Sequence, residues 1–223
     1  MPEREASSPA ALTELPLFPL GTVLFPGALL PLQLFELRYL QMIGECERQQ
    51  TGFGVVTLTQ GREVHRPGDI AEQFEPIGTR VQIERIERPQ PGVVRVWCRG
   101  VGQFRIHGSH QRSDGLWRAR VHDLPAEPDM PVPEHLQYLG VQIQSALDTL
   151  STQDNGVPHW PRPWAMNNCS WLSNRYGELL PLPLTMKYRL FALQEPLIRL
   201  ELIGDLVAPT SDATSGQKPP ANS

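Results

Sequence analysis

The sequence predicts an α+β protein, a small β-barrel subdomain with one helix followed by a helical bundle. Three observations predict it. Short alternating or apolar runs separated by turn residues fill residues 14–124. A proline-rich, acidic stretch follows at 125–133, carrying Pro125, Pro128, Pro131 and Pro133. Beyond it, the hydrophobic period becomes helical through 134–207. The expected organisation is a β-rich subdomain at 14–124, a linker at 125–133, a helical subdomain at 134–207 and a disordered tail at 208–223.

Residues 1–13 are polar and read as loose. Leu15, Leu17 and Leu20 then form an apolar segment that Pro16 and Pro19 make too proline-rich for a central strand. Pro26-Gly27 is a turn, since proline presets φ and glycine tolerates positive φ after it. The run from Leu29 to Phe35 resumes as apolar chain. A helix is expected over 36–50, with Tyr39, Ile43 and Cys46 on one face and Thr51-Gly52 as its stop.

Val55, Val56 and Leu58 mark a strand over 53–59. A polar connection covers 61–76, with a turn at Arg66-Pro67-Gly68-Asp69. Val81 and Ile83 share a face of the next strand, while Ile86 falls out of register. After the turn signal at 89–92, Val94, Val96 and Cys98 alternate with Arg95, Trp97 and Arg99, a half-buried strand pattern. The glycines of Arg99-Gly100-Val101-Gly102 read as a bulge rather than a phosphate loop, because no helix follows. Trp117, Ala119 and Val121 share a face of the last strand of this half. Such short strands suit a small closed or half-open barrel.

In the second half Leu136, Leu139, Ile143, Ala146, Leu147 and Leu150 make one helical stripe. Residues 151–168 break it with Pro158, Pro161 and Pro163 around Trp160 and Trp164. Trp171, Leu172, Tyr176, Leu179 and Leu180 form the next helix, ended by Pro181 and Pro183. Thr185 is the expected N-cap of a further helix, and Pro196 the first residue of the last.

Two stretches carry a family resemblance. The order LPLFPL (15–20), VLFPG (23–27) and LPLQLFELRY (30–39) resembles the amino-terminal domain of the Lon (La) ATP-dependent proteases. The run NRYGELLPLP (174–183), a lysine-bearing helix and EPLIRL (195–200) resemble the helical part of the same module. Together they span roughly 14–207, and 151–168 matches least. The resemblance implies a PUA-like β-barrel subdomain beside a helical bundle, in a stand-alone form without the ATPase and peptidase domains. It also implies a module that captures unfolded or tagged polypeptides for an associated AAA+ protease.

Composition narrows the chemistry. The 223 residues have 40% hydrophobic and 20% charged content and a net charge of −4, which suits a soluble globular protein and gives no footprint for nucleic acid. Cys46, Cys98 and Cys169 are odd in number and widely spaced, so buried free thiols in a reducing compartment are expected. Neither a signal peptide nor an apolar run of membrane-spanning length stands out, and the expected location is cytoplasmic. Lys187 and Lys218 precede Tyr188 and Pro219, so no Walker loop is present, and no Gly-x-Ser-x-Gly elbow occurs. His107 and His110, three apart, and His122 on a neighbouring strand would need a third donor and a helical or strand-locked geometry to hold a metal, and they read as polar rim residues. Asp123 and Glu127 read as solvating the linker.

No cofactor and no catalytic residue is expected. Recognition is what remains. Trp160, Trp164 and Trp171 are candidate peptide contacts, because tryptophan fills desolvated pockets at hot spots, or else they plug the seam between the halves. Arg38 and Tyr39 are further candidates, with plain packing as the other reading. The expected function is a non-catalytic adaptor or substrate receptor in protein quality control. Its rivals are RNA binding through the PUA-like barrel and an enzyme working in the cleft between the halves.

Overall fold

The computed structural model describes residues 11–62, 71–151 and 159–208. The turn expected at Arg66-Pro67-Gly68-Asp69, most of the loose start and the tail from 209 lie outside the described residues, as does 152–158. The strands are β1 (Thr13–Leu20), β2 (Leu29–Leu34), β3 (Phe53–Gln60), β4 (Gln73–Gln90), β5 (Val93–Gln111) and β6 (Trp117–Asp123). The helices are α1 (Leu37–Gln49), α2 (Gln137–Ser151), α3 (Cys169–Leu179), α4 (Leu184–Ala192) and α5 (Pro196–Val207).

The strands form one sheet in the order β2-β5-β4-β3-β1-β6, and β6 also pairs with β5, closing a ring. The ring differs from the simple barrel expected. β4 and β5 are 18 and 19 residues long, against 8 for β1 and β3 and 7 for β6, so their hairpin runs past the ring. There β2 pairs with the first half of β5 and makes a wing, which α1 covers. Val101 is the extra residue of a bulge, because Val81 pairs with Gly100 and Arg80 with Gly102. A second bulge, between Ile83 and Arg85, returns Ile86 to the face of Ile83.

β1 corrects one expectation, for despite its prolines it lies inside the sheet. It pairs in parallel with β3 over Leu17 to Leu20 and antiparallel with β6 over Thr13 to Leu17. The two ladders overlap only at Leu17. Pro16 and Pro19 therefore each have a strand on one side only, and a missing N–H is tolerated on an open side. The α1 helix also stops differently from the expectation. Gln50, not Gly52, takes the left-handed conformation with φ 55°, and the Thr51 N–H donates to the Cys46 carbonyl at 3.0 Å. Gly52 serves close approach instead, since a Cβ there would lie 1.8 Å from the Val81 carbonyl oxygen.

Helices α2, α3, α4 and α5 contribute to one apolar core that includes Leu139, Leu147, Trp160, Leu172, Leu190 and Leu200. Pro183, not Thr185, occupies the N-cap position of α4, and its carbonyl takes the Met186 and Lys187 N–H groups. Pro196 opens α5. The chain at 125–133 is docked. Arg199, wholly buried, donates from Nη2 to Glu127 at 2.7 Å and from Nε to Ser173 Oγ at 2.9 Å. Pro131 forms a bridge with Asn168. Glu127 thus does more than solvate a linker: an arginine without water needs a carboxylate.

The two halves share a further apolar core. Val23, Phe25 and Ile77 from the sheet side meet Phe191 of α4, with the Phe25 and Phe191 rings edge to face at 5.6 Å. Gly177 of α3 admits Phe25, because a Cβ there would stand 2.4 Å from the ring. Gln103 Nε2 donates to the Phe191 carbonyl at 2.7 Å, and the Ile77 N–H to the Tyr188 hydroxyl at 3.1 Å.

Candidate recognition surface

The three candidate tryptophans lie together. Asn168 caps α3 by accepting the Trp171 N–H at 2.7 Å, which fixes Trp171 in the first turn. Trp164 stacks on Trp171 with ring centres 6.5 Å apart and planes 27° from parallel. The Trp164 Nε1 donates to the Trp160 carbonyl at 3.1 Å, and the Trp160 Nε1 to Glu178 at 3.1 Å. Trp160 is 2% exposed and belongs to the helical core, so it has no surface to offer. Trp164 and Trp171 are half-buried.

Behind them sits Arg175, with its guanidinium 5.7 Å from the Trp171 ring centre and 6.0 Å from that of Trp160. Its Nη2 donates to the Pro26 carbonyl at 2.7 Å, and its Nε lies 3.2 Å from the Glu178 carboxylate. Burial lowers the Arg175 pKa, Glu178 acts against that, and nearby Arg99 lowers it further. Arg99 donates to the Gly27 and His159 carbonyls at 3.1 and 2.7 Å. The NRYGE run is therefore a seam device. Arg175 and Gly177 receive the Pro26-Gly27 corner and Phe25, the Tyr176 hydroxyl donates to the Leu139 carbonyl at 2.8 Å, and Glu178 anchors Trp160.

On the outer side, Trp164 borders an open depression of about 430 Å³ with Gln144, Arg162, Pro163 and Met166. The Arg162 guanidinium lies 4.2 Å from the Trp164 ring centre and pairs with Asp148 at 2.7 Å. Arg162 and Met166 were not foreseen as contacts. Arg162 stands two residues from Trp164, but only the fold brings Gln144 of α2 to the same rim.

Arg38 and Tyr39 lie on α1, within the sheet half, and are 6% and 3% exposed. Arg38 pairs with Glu36 at 3.1 Å and Glu72 at 3.3 Å and donates to the Gly115 carbonyl at 3.0 Å. Tyr39 packs on Phe18 with ring centres 4.3 Å apart. Both fasten α1 to the sheet.

Other concavities carry less chemistry. The cleft between the halves, about 340 Å³, is lined in part by Gln103, Asp123, Glu127 and Ser170. Ser170 donates to Glu127, which Arg199 also holds. The Lys187 ammonium donates to the Glu178 carbonyl at 2.8 Å, and burial lowers its pKa. His107 and His122 face each other at 2.5 Å across β5 and β6, and among the described residues no three metal-binding side chains gather. Among the described residues no helix is long and apolar enough to cross a membrane. A further concavity, about 540 Å³, runs between the end of α1 and β4.

Comparison with known proteins agrees with this architecture. A Lon N-terminal domain protein from Xanthomonas campestris superposes with TM-score 0.66 and 29% identity, over 86% of this chain and 96% of that one. The N-terminal domain of the Mycobacterium avium complex Lon protease shares the fold, with TM-score 0.56 and 15% identity over 86% of this chain and 97% of that one. The cereblon protein of Danio rerio is 30% identical over 128 residues, or 55% of this chain, and the match spans only 28% of cereblon. The model of the ATP-dependent protease La (LON) substrate-binding domain matches residues 14–208. The chain belongs to the family of LON substrate-binding domains.

Proposed function

We propose that this protein is a non-catalytic polypeptide-recognition module, an adaptor or substrate receptor in protein quality control. Its clients are unfolded or tagged chains, delivered to an AAA+ protease. Membership of a substrate-binding family supports the class of activity. The observation that carries the contact site is Trp164, half-buried in an open depression beside Met166 and backed by Trp171. A rigid aromatic with a polarizable thioether beside it suits varied apolar side chains, and Arg162 over the ring adds a cation at the rim. Trp171, Trp160 and Arg175 keep that ring from collapsing inward.

Fluorescence-polarization titration with labelled, reduced and carboxymethylated α-lactalbumin tests the reading. The expected Kd is on the order of micromolar, and Trp164→Ala raises it about thirtyfold, the size of a hot-spot truncation. An unchanged Kd in that variant removes Trp164 as a contact. No binding by the parent protein removes the recognition reading itself.

A further inference from the structure

We propose that the groove between α1 and β4 binds an extended polypeptide segment as an added strand, antiparallel to β4. This rests on the polypeptide-recognition reading above and places a second contact on the opposite half of the molecule. Pairing of β3 with β4 reaches Val81, opposite Phe53, and stops. Among the described residues no strand continues along that side of β4, although β5 pairs with its other side as far as Gln90. The reason lies in the preceding chain. Gly52 crosses the Val81 carbonyl so closely that no Cβ would fit, and the backbone then turns away into α1.

The line of β3 is thus left vacant beside Gln82, Ile83 and Glu84. A groove of about 540 Å³ occupies that place, walled by Cys46, Glu47 and Gln50 at the end of α1. Strand edges turn alternate N–H and C=O groups outward, and the natural complement is another extended backbone. An occupant here would continue the existing β3–β4 ladder in the same layer.

Side chains around the edge suit a transient guest rather than an indiscriminate one. Ile83 and Ile86 are half-buried and Val101 is 48% exposed, so apolar side chains of a guest find partners. The bulge between Ile83 and Arg85, the ion pairs of Arg99 with Glu84 and Arg88 with Glu47, and Pro89 beyond them interrupt a long flat edge. Such features discourage pairing between two copies of a protein.

Amide hydrogen exchange on the full chain, with and without reduced carboxymethylated α-lactalbumin at saturation, tests the proposal. Among Gln82, Ile83 and Glu84, the amides that point away from β5 are expected to exchange at least about tenfold more slowly on binding. Two variants accompany it. Successive residues of a strand direct their N–H groups to opposite sides, so one of Gln82→Pro and Ile83→Pro removes an outward amide and spares the β5 ladder. The variant that keeps the parent thermal transition is expected to bind about tenfold more weakly, the scale of a lost contact set. Saturable binding with unchanged exchange at these amides overturns the added strand and leaves the recognition reading standing. Absence of binding removes both. Slowed exchange that rises with protein concentration in the absence of α-lactalbumin assigns the edge to a second copy and overturns the proposal.

Discussion

Single residues show how far chemical type alone can be trusted. The three cysteines are buried and free, as their number and spacing suggested. Burial pushes the Cys98 thiol from 9.0 up to about 12, and raises Cys46 and Cys169 as well. The thiol form is therefore favoured by folding. Its contribution to stability is complete below pH 9 and is lost as pH rises toward 12. Titration with a thiol reagent at pH 8 is expected to find none of the three reactive in the native protein and all three after denaturation. Fast native labelling of Cys98 would contradict its burial. The tryptophans were legible as a group but not individually. Sequence gives no sign that Trp160 faces Glu178 inside while Trp164 looks outward, because that depends on which side of the loop α3 packs. Arg38 likewise leaves contact and packing both open until Glu72, Glu36 and Gly115 are seen around it.

Elements were most legible where a local period was long. The faces of α1, the alternation in β5 and the proline start of α5 follow from local spacing. The prolines of β1 misled, because their cost depends on which side of the strand is paired, a tertiary fact. The reach of β4 past β3 was equally hidden, since a strand's length does not reveal where its neighbour stops. Gly177 gives a test at this scale. In α3, alanine would gain about 1 kcal/mol of helix propensity. Its Cβ would, however, stand 2.4 Å from the Phe25 ring, which costs about 1–3 kcal/mol by overpacking. A net loss is expected for Gly177→Ala, seen as a melting temperature lower by a few degrees. Adding Phe25→Leu should cost less in that background than alone, since the two side chains contest one space. Strictly additive effects in calorimetry would deny the contact.

At the scale of the whole molecule the two halves are tied by an apolar seam and by arginines. Phe25 meets Phe191, Arg175 reaches Pro26, Arg99 reaches His159, and Gln103 reaches Phe191. We expect one cooperative unfolding transition, with calorimetric and van't Hoff enthalpies equal. Two separated transitions would mean that the seam does not couple the halves. Replacing Glu127 by alanine leaves the wholly buried Arg199 without its carboxylate, and should lower the stability of both halves together by about 3 kcal/mol. The family, the order of strand-rich and helical parts and most helix faces were legible in the chain alone. These are written in local motifs and periods, which neighbouring residues satisfy without reference to the rest of the chain. Closure of the sheet through β5 and β6, the burial of Trp160 against the half-buried Trp164 and Trp171, and the place where a strand is left without a neighbour come from the fold. Each of those depends on contacts between residues far apart in sequence, whose geometry no local pattern records.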